Sequence, residues 1–243
     1  MREVVTVIRL GLVAAAIAAL GAAASLYGQG AGAPAPRTDI SGYWELRFDS
    51  FNAPRAQLTT RAQAAVEARR KKDVEAIQQC INIGMPALMD DRSPVDIRQS
   101  ATVVGMVAKS QSSTRYIYID GRKHPDAEEL EATTNGHSIG RWEGEVLVVD
   151  TIGFNERGMT AIPGGGYRTA RSHLAERYAL SHNGEQLTVT FTWTDPTVFQ
   201  KLHSYAFTYY KIRQISEPRV LNCLPNDPDR ARFLTELPQP VRF

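Results

Sequence analysis

The residues best suited to chemistry cluster in one stretch, GHSIGRWEGEVLVVDTIGFN at 136–155, which carries His137, Arg141, Glu143 and Asp150. A histidine with an ordinary pKa of about 6.5 beside a carboxylate is suited to acid–base work near neutral pH. The stretch reads as two strands around a tight turn. Its first half holds His137, Arg141, Trp142 and Glu143, the reversal falls at Glu143-Gly144-Glu145, and Val146 to Phe154 is an apolar strand interrupted by Asp150. Strand alternation puts His137, Ile139, Arg141 and Glu143 on one face and Ser138, Gly140 and Trp142 on the other. If the first face looks inward, His137, Arg141 and Glu143 share a cavity. If the second does, Trp142 is core and the charged trio is a surface ladder. With a turn at Gly144, Arg141 opposes Val148, and Asp150 comes within reach of Arg141 or Ile139, since cross-strand neighbours sit about 4.5–5.5 Å apart. His173 and Arg177 share a face of a later strand, with the small Ala175 between them. The candidate catalytic set is therefore His137, Asp150, Arg141 and His173. The competing account is structural: Asp150 paired with Arg141, Arg171 or Arg177.

Other chemistry is less favoured. The chain has no nucleophile elbow, Walker loop, dinucleotide fingerprint or HExxH helix, so no cofactor is expected. Gly164-Gly165-Gly166 has no strand before it or helix after it and reads as a loop. No two of His124, His137, His173, His182 and His203 are at the spacing that puts metal ligands on one strand or helix face, so no metal is expected. A site assembled in space from His124, His137, His173 and Asp150 is the alternative. Cys80 and Cys223 are isolated from each other and from other metal ligands, and in an exported chain they are expected to form a disulfide.

The elements that must position these groups begin with an address. Arg2 and Arg9, the apolar run Leu10 to Leu20 and Ala22-Ala23-Ala24 predict a signal peptide at 1–24, its apolar run being shorter than the roughly 20 residues of a spanning helix. Residues 25–38 read as a leader, and 39–243 as a single domain, periplasmic or secreted. A formal charge of +2 gives no argument for nucleic acid, and Arg69-Arg70-Lys71-Lys72 is bracketed by Glu67, Asp73 and Glu75, as on a solvated helix face. That run belongs to a predicted surface helix, RAQAAVEARRKKDVEAIQQ, capped by Thr59 or Thr60. The loop INIGMPALMDDRSP follows, with Met85, Leu88 and Met89 available to cover apolar surface.

From there the chain is a series of short strands: 95–99, 102–108, 114–119, 137–142, 146–154, 171–180, 186–194 and 204–214, preceded by an early strand at 40–48. Leu187, Val189, Phe191 and Trp193 alternating with four threonines give the cleanest period of two. Asp120-Gly121 and Asn183-Gly184 are hairpin signals between strands. Sequential hairpins predict an antiparallel meander closing into a lipocalin/calycin-like barrel, with one surface helix near the N-terminus. The Pro-rich tail from Glu217 to Phe243 is expected to be tied back by Cys223.

Gly42-Tyr43-Trp44 on the first strand and Arg213 on the last resemble the calycin pattern, which implies an early Trp at the barrel floor with a late Arg packed across it. More specific is the block YIYIDGRKHP, then NGHSIGRWEGEVLVVDTIGFN, ERYAL and TDPTVF. It resembles a large family of exported, mostly uncharacterised bacterial proteins sharing a GHSIGRWEG-type segment, over roughly Thr59 to Arg213. The resemblance implies relatives and no reaction.

Three functions remain open. The first is an exported barrel binding a small apolar or aromatic molecule, with Tyr116, Tyr118, Trp193, Tyr205 and Phe207 as wall residues. The second is a cofactor-free acid–base enzyme, an isomerase, lyase or hydrolase, using His137 and a carboxylate in the cavity. The third is an envelope interaction module without a cavity. All three imply no nucleic-acid partner and no stable membrane insertion once the signal is cleaved.

Overall fold

Each period-two run becomes a strand, because a strand with one apolar face must bury it, and nine such strands close on themselves. The computed structural model describes residues 38–50, 53–90, 94–108, 113–213 and 225, all within one compact unit at 36–243. The strands are β1 (Gly42–Leu46), β2 (Val95–Gln99), β3 (Val103–Ala108), β4 (Ser113–Tyr118), β5 (His137–Glu143), β6 (Val146–Ile152), β7 (His173–Leu180), β8 (Gln186–Thr194) and β9 (His203–Ile212). They neighbour one another in chain order, and β9 returns to pair with β1 from Tyr43↔Ile212 to Leu46↔Tyr209.

One step departs from the meander. β4 and β5 run parallel, through Ile117↔Ser138 and Tyr118↔Ile139, so Asp120-Gly121 is not a hairpin turn. The Asp120 carboxylate instead accepts from the Arg122 backbone N–H at 3.2 Å and pairs with its guanidinium, and the chain crosses over through 119–136 before entering β5. The other expected turns do form hairpins. Gly144, at φ 63°, sits in the two-residue reversal between Glu143 and Val146, and Ser181 to Gln186 connects β7 to β8.

The barrel interior is filled. Leu187, Val189, Phe191 and Trp193 of β8 are all essentially inaccessible, as are Trp44, Phe207 and Tyr209. Burying each aliphatic or aromatic side chain of this size contributes about 1.5–3 kcal/mol. Met85, Leu88 and Met89 join the same core, and the segment predicted as a loop contains a short helix, α2 (Ala87–Asp90). Trp44 donates its Nε1–H to Ile40 O at 3.0 Å, but the cation over its ring is Lys211, 5.4 Å from the centroid. Arg213 does not pack there: it lies beyond the end of β9 and pairs with Glu185 at 2.5 Å. Lys211 takes the place because it is the direct cross-strand partner of Trp44.

The predicted surface helix is α1 (Thr60–Gln78), with Thr59 as its cap accepting from the Ala62 N–H at 3.1 Å. Its apolar stripe is weak, and a buried carboxylate adds an anchor. Asp73 accepts from the Thr160 N–H, the Thr160 hydroxyl and the Ala161 N–H at 2.8, 2.9 and 2.9 Å. Asp73→Ala would take the acceptor from three donors, two of them buried, at a cost of about 1–3 kcal/mol for each buried group left unpaired. Thermal melting should show that loss, and hydrogen exchange should show it concentrated in α1 and 160–161.

The expected signal peptide, most of the leader and most of the Pro-rich tail lie outside the described residues. So does Cys223, and with it the expected bond to Cys80. No helix among the described residues is long and apolar enough to cross a membrane.

Candidate functional site: a histidine–carboxylate chain on the outer barrel wall

The chain enters β5 through Gly136, at φ 69°, where a Cβ would stand 2.7 Å from both the Ile152 carbonyl oxygen and a Thr151 methyl. Only a glycine permits that close approach to β6. Gly136→Ala is expected to cost about 1–2 kcal/mol from the left-handed backbone alone, plus the clash. A melting curve measures the cost, and the His137 ring signals should move with it.

Beyond Gly136 the alternation is settled. Ser138 is buried and points inward, with Trp142 half-buried on the same face; His137, Ile139, Arg141 and Glu143 point outward. Asp150 stands outward on β6 opposite Ile139, and next to it on β7 is Ala175, two residues from His173. The small Ala175 leaves His173 room to reach Asp150. The 119–136 crossover delivers a fourth group, His124, which the sequence suggested only as a member of an alternative metal set.

These four side chains form a continuous chain. His137 Nδ1 faces His124 Nδ1 at 2.8 Å, His124 Nε2 faces Asp150 Oδ2 at 3.0 Å, and His173 Nε2 hydrogen-bonds Asp150 Oδ1. The pattern assigns the tautomers of the neutral rings. A carboxylate only accepts, so His124 carries its proton on Nε2 and offers Nδ1 as the acceptor for His137 Nδ1–H. His137 Nε2 and His173 Nδ1 are left as lone pairs at the two ends. Asp150 and His173 are 39% and 40% exposed at their side chains and His124 is 15% exposed, so the chain is open at one end and sheltered in the middle.

Burial lowers the His137 pKa below its ordinary 6.5, and the nearby His124 and Arg122 push it further down. His137 also stacks on Tyr118, with ring centroids 5.5 Å apart, and Arg122 lies 3.9 Å from the centroid of the same Tyr118 ring. Arg141 is not part of the chain. It pairs with Glu143 at 2.6 Å, and Arg177 holds the other Glu143 oxygen at 3.0 Å, so these three form the surface ladder. Arg177 first and Arg141 second hold the Glu143 carboxyl below its usual range.

The proposed wall residues divide. Trp193, Tyr205 and Phe207 are buried inside the barrel, with the Trp193 indole donating to Tyr205 Oη at 3.2 Å. Tyr116 is 56% exposed and Tyr118 also faces outward, because β4 turns the polar Arg115 inward. Arg115 donates to Glu176, to Ser138 Oγ from two nitrogens at 3.1 and 3.0 Å, and to Thr151 Oγ1 at 2.9 Å. Tyr178 Oη donates to Glu176 at 2.8 Å. This interior network was missed. Its one sequence signal was Glu176 sharing the parity of Leu174 and Tyr178, a carboxylate on an apolar face that needs a partner.

Among the described residues, no group of three or more His, Cys, Asp or Glu side chains has a metal-ligand arrangement. In the histidine chain the ring nitrogens face one another and the carboxylate. No protein-family model matches the chain, and no curated protein matches it. Fold and site together define a class: a closed nine-stranded mixed β-barrel carrying a histidine–carboxylate chain on its outer wall.

Proposed function

We propose that this is an exported, cofactor-free acid–base enzyme that works on a small molecule at the outer wall of the barrel, with His137 as base and His173 as the opposing acid. The observation that supports it is the unbroken chain His137–His124–Asp150–His173, with a free ring nitrogen at each end. A proton taken by His137 Nε2 makes an imidazolium whose charge is stabilised through His124 by Asp150. Across the carboxylate, a His173 that has taken a solvent proton on Nδ1, its Nε2–H still held by Asp150, can pass that proton to the substrate. Withdrawal and return at neighbouring atoms is isomerisation; withdrawal with loss of a leaving group is a lyase reaction; withdrawal from water is hydrolysis.

A direct test needs no known substrate. Small carbonyl compounds incubated with the protein in deuterium oxide would exchange their acidic C–H protons, and His137→Ala should reduce that exchange by about 10²–10⁴-fold. Wild-type protein that exchanges no faster than the His137→Ala variant on a broad panel would remove this reading.

The lowered His137 pKa has a sign that can be checked. A base must be deprotonated, so activity should persist below pH 6.5 and fail only at the depressed folded-state value. Stability behaves correspondingly. The unfolded chain binds this proton more readily than the folded one, so stability is lost as pH falls from about 6.5 toward the folded value. In the His137→Ala variant that part of the pH dependence of melting should disappear.

A second reading rests on the interior aromatics. Phe191 and Tyr205 stack with centroids 5.2 Å apart and Phe207 is tilted against them at 5.7 and 5.1 Å, an apolar cluster that an apolar or aromatic ligand would join by displacing side chains of the filled interior. Native mass spectrometry of the purified protein tests it: a retained molecule supports it, and an empty protein does not.

A further inference from the structure

We propose that Arg115, enclosed inside the barrel, is the positioning residue for the histidine–carboxylate chain on the outside of the same wall. The proposal rests on the reading of that chain as the reactive site and assigns Arg115 no contact with substrate. Four strands meet at its guanidinium. Arg115 belongs to β4 and donates to Ser138 on β5, Thr151 on β6 and Glu176 on β7. Ser138 and Thr151 also bond each other at 3.0 Å and are direct cross-strand partners. Each of those two is the sequence neighbour of a site residue: Ser138 follows His137 and Thr151 follows Asp150. In a strand, neighbours point to opposite faces, so whatever fixes Ser138 and Thr151 from within fixes His137 and Asp150 from behind.

The β4–β5 seam makes this more than general packing. It is the shortest of the nine ladders among the described residues, with two Cα pairs where the others have three to eight. Backbone hydrogen bonds alone therefore define the seam weakly. Yet His124 leaves from the β4 side through the crossover, Tyr118 ends β4, and His137 begins β5, so the His124–His137 contact and the Tyr118–His137 stack both bridge it. The Arg115 fork spans the same seam from inside, and its planar donors reach Ser138, Thr151 and Glu176 at once. A lysine carries its three donors on a single nitrogen and lacks the planar fork that presents separate nitrogens to these partners.

The test separates positioning from stability. Arg115→Met alone would strand Glu176, so the informative variant is Arg115→Met combined with Glu176→Leu, which removes both charges and keeps the core apolar. The readout is the magnetic resonance of isotope-labelled imidazoles in the full chain, which reports tautomer and titration of His124, His137 and His173 without any substrate. The expected result is a folded double variant in which the His137 titration returns toward the ordinary value and the hydrogen-bonded His124–His137 signature is lost. Thr151→Val, a smaller change, should perturb the Asp150-linked signals of His124 and His173 in the same direction; it also serves if the double variant does not fold. Arg115→Lys should not restore the wild-type pattern. Unaltered imidazole spectra in a folded double variant or in Thr151→Val would overturn the positioning role. Absence of the chain's signature in the wild type would instead remove the proposed site itself.

Discussion

Asp150→Asn is expected to lower turnover by about 10²–10⁴-fold while barely moving the melting temperature. Asp150 accepts from His124 with one oxygen and from His173 with the other. An asparagine has one acceptor oxygen and one donor nitrogen. It can keep one imidazole in its assigned tautomer and must invert or release the other. If His124 inverts, its Nδ1 becomes a donor and can no longer accept from His137, so the base loses its support two residues away from the substitution. If His173 inverts, the free nitrogen at the acid end becomes a fixed donor and stops cycling. Asp150 is partly exposed, and substitutions at such positions usually stay within about ±0.5 kcal/mol in stability. The measurement is deuterium exchange of the carbonyl panel beside a melting curve. Full activity with an unchanged melt would mean that the carboxylate takes no part in the reaction, and a large drop in melting temperature would make the cluster a structural network.

Glu176→Ala is expected to be the most destabilising single change in the barrel wall, at about 3–5 kcal/mol. Arg115 and Glu176 are 1% and 0% exposed, so neither charge is hydrated. Burial by itself pulls the Arg115 pKa down, but Glu176, and secondarily Tyr178, more than offset it, and the net shift is upward. An arginine that stays charged cannot escape by releasing its proton. Removing Glu176 therefore leaves an uncompensated cation in the core, with Tyr178 also losing its acceptor. At about 2–4 °C per kcal/mol for a domain of this size, the melting temperature should fall by roughly 6–20 °C. Calorimetry checks this. A fall of under about 2 °C would show that water enters the barrel to solvate Arg115.

The sequence by itself determined the wall. Alternation with period two marked all nine strands within a few residues, because a strand that buries one face has little choice about which residues are apolar. The cap could be narrowed to Thr59 or Thr60 from their position before an Ala-rich run, and Gly144 read as a turn, since both depend on interactions a few residues long; the structure selects Thr59. The hairpin register was equally local: counting back from Gly144 pairs Arg141 with Val148, and the structure has that pair.

What the sequence could not decide is which face of a polar strand looks inward. In β4 the two tyrosines argue for one face and Arg115 for the other. The answer depends on Glu176, 61 residues away, without which a buried guanidinium would be prohibitive. The same limit applied to the site. His137 and Asp150 were visible as a pair on one hairpin, but His124 joins them through a crossover that Asp120-Gly121 suggested would be a tight turn. Arg141, next in line by register, is taken by Glu143. Local pattern is set by burial and backbone geometry, which act within a strand. Partner choice among charged groups is set by which residues closure of the barrel brings within about 3 Å, and only the tertiary structure decided that.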